Sequence, residues 1–208
     1  MRHMRIIRFS AFVACMAALL VAATAGATTV TPANETFNLT TSGTIRISNA
    51  FALITCSGIS ATGTIPASPD NSSPAANGSV VVPISAPSLT RCVTEGGLGA
   101  RVSTFTTFGN WTMTFVRIGG RPLVVAMTIP STGVLIEIST FFNCIMSAPF
   151  GRQTPISGRL ATGARFIFGG QQAALTQTGA ICPERGPAVN ITGEAALVDS
   201  RGRAISVS

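Results

Sequence analysis

Five cysteines, seven acids and fourteen basic residues carry whatever chemistry this chain can do, with a single histidine, His3. No histidine follows residue 3, and lysine is absent. The body of the chain therefore cannot assemble a Ser-His-Asp or Cys-His nucleophile, a Ser-Lys dyad or a Schiff base. Carboxylate chemistry is what remains. The acids are Glu35, Asp70, Glu95, Glu137, Glu184, Glu194 and Asp199. A glycosidase needs two carboxyls facing one cleft. The pair that suggests itself is Glu137 with Glu194, provided the fold brings them together. The plainer expectation is that each faces solvent or an arginine, so no catalytic residue is assigned.

Cys56, Cys92, Cys144 and Cys182 remain once Cys15 is set aside in the N-terminal segment described below. Zinc sites use close-paired ligands. Here the gaps run to tens of residues and no histidine helps, so the four predict two disulfides and no metal. Asp70-Asn71-Ser72-Ser73 offers oxygen ligands to calcium, with one carboxylate among them. Arg117 with Arg121, and Arg201 with Arg203, flank turns. Each pair reads as a solvated turn, with an anion or sulfated-glycan site as the sharper alternative. Trp111, Met113 and Phe115 alternate on one strand face. They suit a core better than a sugar platform. No cofactor is implied.

The compartment follows from the N-terminus. Arg2, Arg5 and Arg8 precede the apolar run Phe9 to Val21, and Ala25-Gly26-Ala27 is a small-x-small cleavage site. Residues 1–27 predict a secretory signal peptide, too short in its apolar run to span a membrane. The rest, 28–208, is long enough to bury a core as one all-β domain. It holds eleven arginines against seven acids, a net +4. Those arginines are scattered rather than clustered, which argues against nucleic acid. Charged residues are 10% of the chain, far below the ~25% of ordinary domains. Ser, Thr, Asn and Gln cover the surface, as suits an extracellular β-protein. After signal cleavage no segment reads as an integral membrane span. An outer-membrane barrel is disfavoured by the lack of tyrosine, the single tryptophan and the paired cysteines.

Strands must position all of this. Leu123, Val125, Met127 and Ile129 alternate with Val124, Ala126 and Thr128. Beyond Pro130-Ser131-Thr132-Gly133, Val134, Ile136 and Ile138 alternate with Leu135 and Glu137. The two runs predict a hairpin buried on at least one face. Gly119-Gly120 predicts another hairpin turn. Ser79 to Ser85 reads as a strand placed at an edge or bulge by Pro83. Residues 28–35 read as a polar lead-in, Pro66 to Gly78 as a loop without a packing signal, and Gln171 to Thr178 as a helical turn. The fold class is all-β, an antiparallel sandwich or barrel.

Two similar halves, 28–127 and 128–208, are suggested by loose internal likeness. Phe115-Val116 followed three residues later by Gly120-Arg121 matches Leu197-Val198 followed by Gly202-Arg203. Ser42-Gly43-Thr44-Ile45-Arg46-Ile47 resembles Thr132-Gly133-Val134-Leu135-Ile136-Glu137-Ile138. Four cysteines allow three pairings. One bridge within each half gives Cys56–Cys92 and Cys144–Cys182.

Val30-Thr31-Pro32-Ala33, the Gly-rich strands before Cys56, Cys92, Gly109-Asn110-Trp111-Thr112, Thr128-Ile129-Pro130 and Cys144 follow the signal in this order. In this the chain resembles the secreted, disulfide-containing all-β proteins of high-GC actinobacteria. The resemblance implies export and disulfides and carries over no activity. The expectation is a secreted or cell-envelope protein that is not an enzyme, with a structural, adhesive or binding role. Its partner is unknown, with an envelope component or a glycan as candidates. The alternative is a secreted carboxylate-dependent glycan hydrolase.

Overall fold

The computed structural model describes residues 27–41, 43–49, 52–75, 77–97, 99–118, 121–138, 144–170, 172–178 and 188–208. For residues 121–124, 144, 177, 178 and 188 only the backbone is described. Alternation builds the elements. In the segment Trp111–Ile118, Trp111, Met113 and Phe115 are buried while Thr112, Thr114 and Val116 are half-buried. A period of two puts one set on each face of a strand.

The strands among the described residues are β1 (Thr28–Thr31), β2 (Thr36–Thr41), β3 (Ile45–Ser48), β4 (Leu53–Thr64), β5 (Ser72–Ser73) and β6 (Ser79–Ile84). Next come β7 (Ser88–Thr94), β8 (Ala100–Thr104), β9 (Trp111–Ile118), β10 (Arg121–Ile129), β11 (Val134–Ile138) and β12 (Cys144–Ser147). The chain ends with β13 (Thr154–Ala161), β14 (Arg165–Phe168), β15 (Gln172–Ala174), β16 (Thr176–Thr178), β17 (Ala188–Asp199) and β18 (Ser206–Val207).

Pairing turns this list into a closed ring. Each of β2, β4, β6, β9, β10, β13, β14 and β17 pairs antiparallel with the next. β17 then pairs with β2 and closes the circuit. The order around the ring is the order along the chain, the arrangement of an up-and-down barrel. Closure leaves those strands no open edge. The seam between β4 and β6 is the thinnest, a single partner pair, Gly63 and Ile84. Glycine is required there by packing. A Cβ on Gly63 would stand 2.5 Å from the Phe37 ring and 2.8 Å from Ile84 Cγ2.

Beyond this ring the strands bend and continue. β3 prolongs β2, paired with β4 and β17. β7 prolongs β6 along β4. β8, β11, β12 and β16 form a four-stranded sheet in the order β16-β12-β11-β8. β7 and β8 meet through the Val93–Gly99 bridge. The bends between β8 and β9, β10 and β11, and β12 and β13 fall side by side. Phe105 N–H donates to the Gly133 carbonyl at 2.8 Å, and Ala148 N–H to the Val134 carbonyl at 3.1 Å. One apolar cluster fills the interior, with Phe37, Leu39, Met113, Phe115, Val125 and Phe166 fully buried. The outward residues of β4 are Ser57, Ser60, Thr62 and Thr64. A membrane-spanning barrel has the reverse polarity, apolar outside. No described helix is long and apolar enough to cross a membrane.

Several expectations are corrected. β10 and β11 do not form a hairpin with each other. β10 has β9 on one side and β13 on the other, so neither edge is left for β11. β11 pairs instead with β8 and β12. The turn at Pro130–Gly133 is real, with Gly133 N–H on the Pro130 carbonyl at 2.9 Å, but it bends one strand onward. The faces were read correctly: Val125, Met127 and Ile129, then Val134, Ile136 and Ile138, are buried. β9 and β10 pair through Ile118 and Arg121, while Gly119 and Gly120 lie outside the described residues.

The polar lead-in is β1, paired with β18 and β5. Thr28 is fully buried because its hydroxyl is used twice, donating to the Gly78 carbonyl at 2.6 Å and accepting from Arg117 N–H at 3.0 Å. The Pro66–Gly78 loop is packed: Asn71 is buried and donates through Nδ2 to the Val30 carbonyl at 2.9 Å. The expected helical turn is β15 and β16, held by β17 and β12. Pro83 is on neither an edge strand nor a bulge: β6 lies between β9 and β4, with Pro83 paired to Thr112 beside the thin seam to β4. Of the residues behind the internal likeness, Phe115 and Leu197 are both fully buried, and Ile45 and Ile47 on β3 are buried as Ile136 and Ile138 are on β11.

Candidate functional site

Cys56 on β4 and Cys92 on β7 are partner residues across the strand pair and form a disulfide, with Cα atoms 4.0 Å apart. Both sulfurs belong to the buried cluster. Arg91, at φ 50°, sits where the inward face of β7 changes from Leu89 to Cys92. Cys144 opens β12 with only its backbone described, and Cys182 lies outside the described residues, so the Cys144–Cys182 expectation falls there. A buried disulfide is what an oxidising, extracytoplasmic compartment permits.

The acids are dispersed. Glu137 lies on the face of β11 opposite buried Ile136 and Ile138, with Arg101 as its cross-strand partner. Glu194 is on β17, where Arg165 Nη1 donates to its Oε2 at 3.4 Å. The two carboxyls stand on strands that do not pair with each other, β11 in the four-stranded sheet and β17 in the ring. Glu184 lies outside the described residues. Asp199 is buried and organises the turn into β18. Its Oδ1 accepts from the N–H groups of Arg201 at 2.9 Å and Arg203 at 2.8 Å, and its Oδ2 from Arg203 Nε at 2.6 Å. Burial by itself raises its pKa. The Arg203 N–H and guanidinium, with the Arg201 N–H, outweigh burial and hold the carboxyl below its ordinary value. Arg201 and Arg203 each also reach Glu35 at 3.9 Å. The candidate anion pair is thus matched by two carboxylates of this chain. Arg121 has only its backbone described.

Asp70 is exposed while Asn71 turns inward to Val30 and the Ser72 hydroxyl bonds the Thr29 hydroxyl at 2.9 Å. The Asn71 amide nitrogen and the Ser72 hydroxyl are thus committed to β1. Among the described residues no cluster of three acid, histidine or cysteine side chains forms. Trp111, Met113 and Phe115 are core, as expected, and the Trp111 indole N–H donates to the Phe105 carbonyl at 3.0 Å.

Two places remain. The first is an interior cavity of about 40 Å³, walled by Ile45, Ile59, Leu89, Met127, Ile136 and Leu175 among others. Thr104 is its one polar wall residue, and that hydroxyl donates to the Pro87 carbonyl at 2.7 Å. Ligand pockets run to ~300–1,000 Å³ with a few free polar groups to orient the guest. This space has neither and reads as a packing void of a filled barrel.

The second place is outside. Phe105 is 40% exposed, Phe108 57% and Phe150 78%. All three sit on the adjacent bends, Phe105 and Phe108 between β8 and β9, Phe150 between β12 and β13. Phe108 and Phe150 meet edge to face, centroids 5.9 Å apart at 76°. The bends are tied together beneath them. Ser131 Oγ accepts from Gly151 N–H at 2.8 Å, and the turn of Phe108 closes through Gly109 N–H on the Thr106 carbonyl at 3.3 Å. Exposed aromatic side chains held on a rigid frame mark an interaction surface. Strand alternation does not find Phe108 and Phe150, since both sit in turns. The available signal was the context Thr107-Phe108-Gly109 and Pro149-Phe150-Gly151, a large ring where a turn residue is expected.

No protein-family model, no curated protein and no solved structure matches this chain.

Proposed function

We propose that the chain is a non-enzymatic binding module that works outside the cytoplasm, as a secreted or cell-envelope protein with an adhesive role. The observation that carries this is the trio Phe105, Phe108 and Phe150 on laced, adjacent bends. The buried Cys56–Cys92 bridge supports the compartment. The dispersal of Glu137 and Glu194 to different strands, each with arginine as its cross-strand partner or ion pair, favours binding over glycan hydrolysis. Enclosure favours the outer wall as the working surface.

The test uses the mature chain and isolated cell envelopes of its source. Wild type sediments with the envelopes, and Phe108→Ser/Phe150→Ser sediments at most about a tenth as well, one factor of ten being ~1.4 kcal/mol. Equal sedimentation of the two proteins removes the aromatic site as the binding surface. Release of reducing sugar from envelope glycans, abolished in Glu137→Gln, returns the hydrolase.

A further inference from the structure

The partner class can be narrowed, on the footing of the adhesive role just proposed. We infer that Phe105, Phe108 and Phe150 seat the barrel on a lipid bilayer surface, with anionic headgroups meeting Arg152.

The shape of the patch favours acyl chains over a sugar or a second copy. A pyranose ring stacks on a flat aromatic face. Phe108 and Phe150 are crossed at 76° and offer an edge beside a face. Acyl chains make no such demand, since burial of apolar area is non-directional. A second copy of the chain needs ~800 Å² from each partner for a stable interface. Taking ~200 Å² for a phenylalanine, the three exposures leave roughly 350 Å² here. As apolar area that is short of the apolar share of such an interface and ample for shallow insertion.

Backbone chemistry agrees. Unpaired N–H groups oppose entry into hydrocarbon. At these bends four N–H groups are already used: Phe105 on the Gly133 carbonyl, Gly109 on Thr106, Gly133 on Pro130 and Gly151 on Ser131 Oγ. Charge agrees as well. The bends Phe105–Asn110, Pro130–Gly133 and Ala148–Gln153 contain no acid and one base, exposed Arg152, two residues from Phe150. A basic side chain at the rim of an inserting apolar group is drawn to an anionic leaflet. The mature chain's net +4 adds to that attraction.

The test is co-sedimentation with vesicles of phosphatidylcholine, with and without phosphatidylglycerol. Wild type binds both and prefers the anionic vesicles. Replacing Phe108 or Phe150 by serine costs about tenfold in partitioning per ring. Arg152→Gln loses the preference for phosphatidylglycerol and keeps the binding. Phe150→Trp binds at least as tightly, and its emission moves to the blue on adding vesicles. The melting temperatures of these variants stay at the wild-type value, since the replaced groups are exposed. Absence of binding to either vesicle overturns the inference, as does serine-variant binding equal to wild type. A concentration-dependent dimer abolished by Phe150→Ser overturns it in favour of a second copy. If vesicles fail while the double serine variant still loses envelope binding, only the lipid assignment falls. If both assays fail, the adhesive role falls with it.

Discussion

Cys56→Ser/Cys92→Ser lowers stability by about 4 kcal/mol, the entropy of a closed loop of this length released to the unfolded chain. The bridge spans 36 residues of sequence. Inside that span lie the packed loop 66–78 and β6, and β6 is held to β4 by one partner pair. Without the bridge, the β4–β7 ladder alone keeps the two long strands together below and above the bend. Two hydroxyls would also enter the apolar cluster, where Cys56 is 0% exposed and Cys92 9%. Against a total of ~5–15 kcal/mol the loss is large. Scanning calorimetry should show the melting temperature reduced by about 8–16 °C. A change of a degree or two would mean that the cysteines are not bonded in solution.

Phe115→Ala should cost about 3–5 kcal/mol, the usual range for truncating a fully buried aromatic. Phe115 is 0% exposed on β9, opposite Val125 on one neighbour and Val80 on the other. Its loss opens a cavity bounded by three strands of the ring that cannot collapse independently. Phe150→Ala, at 78% exposure, should stay within about 0.5 kcal/mol of wild type. Urea titration of the two variants separates ring from patch. Equal effects would mean that Phe150 is packed in solution and not available to a partner.

Strand identity was legible where alternation was long. Trp111, Met113 and Phe115, and likewise Val134, Ile136 and Ile138, face inward as the period of two requires. Strand partners were not legible. Pro130–Gly133 has hairpin chemistry, and nothing local reveals that β9 and β13 already occupy both edges of β10. Gln172–Ala174 lacks a strand signature and is extended because β17 pairs with it, a case of tertiary context overriding propensity. Thr28 reads as solvent-facing until Gly78 and Arg117 arrive from far along the chain to use its hydroxyl. Of the site, count and spacing made disulfides legible, and the assumption of one bridge within each half selected Cys56 with Cys92. The Phe108–Phe150 contact was not, since its two rings are brought together only by the lacing of bends on three neighbouring strands.

Everything said of the outer wall depends on the ring being closed, so that one face of each strand is spent on the interior. β17 is the strand that closes it, with Ala195 set between Phe166 on β14 and Thr41 on β2. Cross-strand nuclear Overhauser contacts of Ala195 in the folded protein decide the matter. Closure predicts contacts from Ala195 to both Phe166 and Thr41. Contacts to one of them alone would show an open sheet and contradict the barrel.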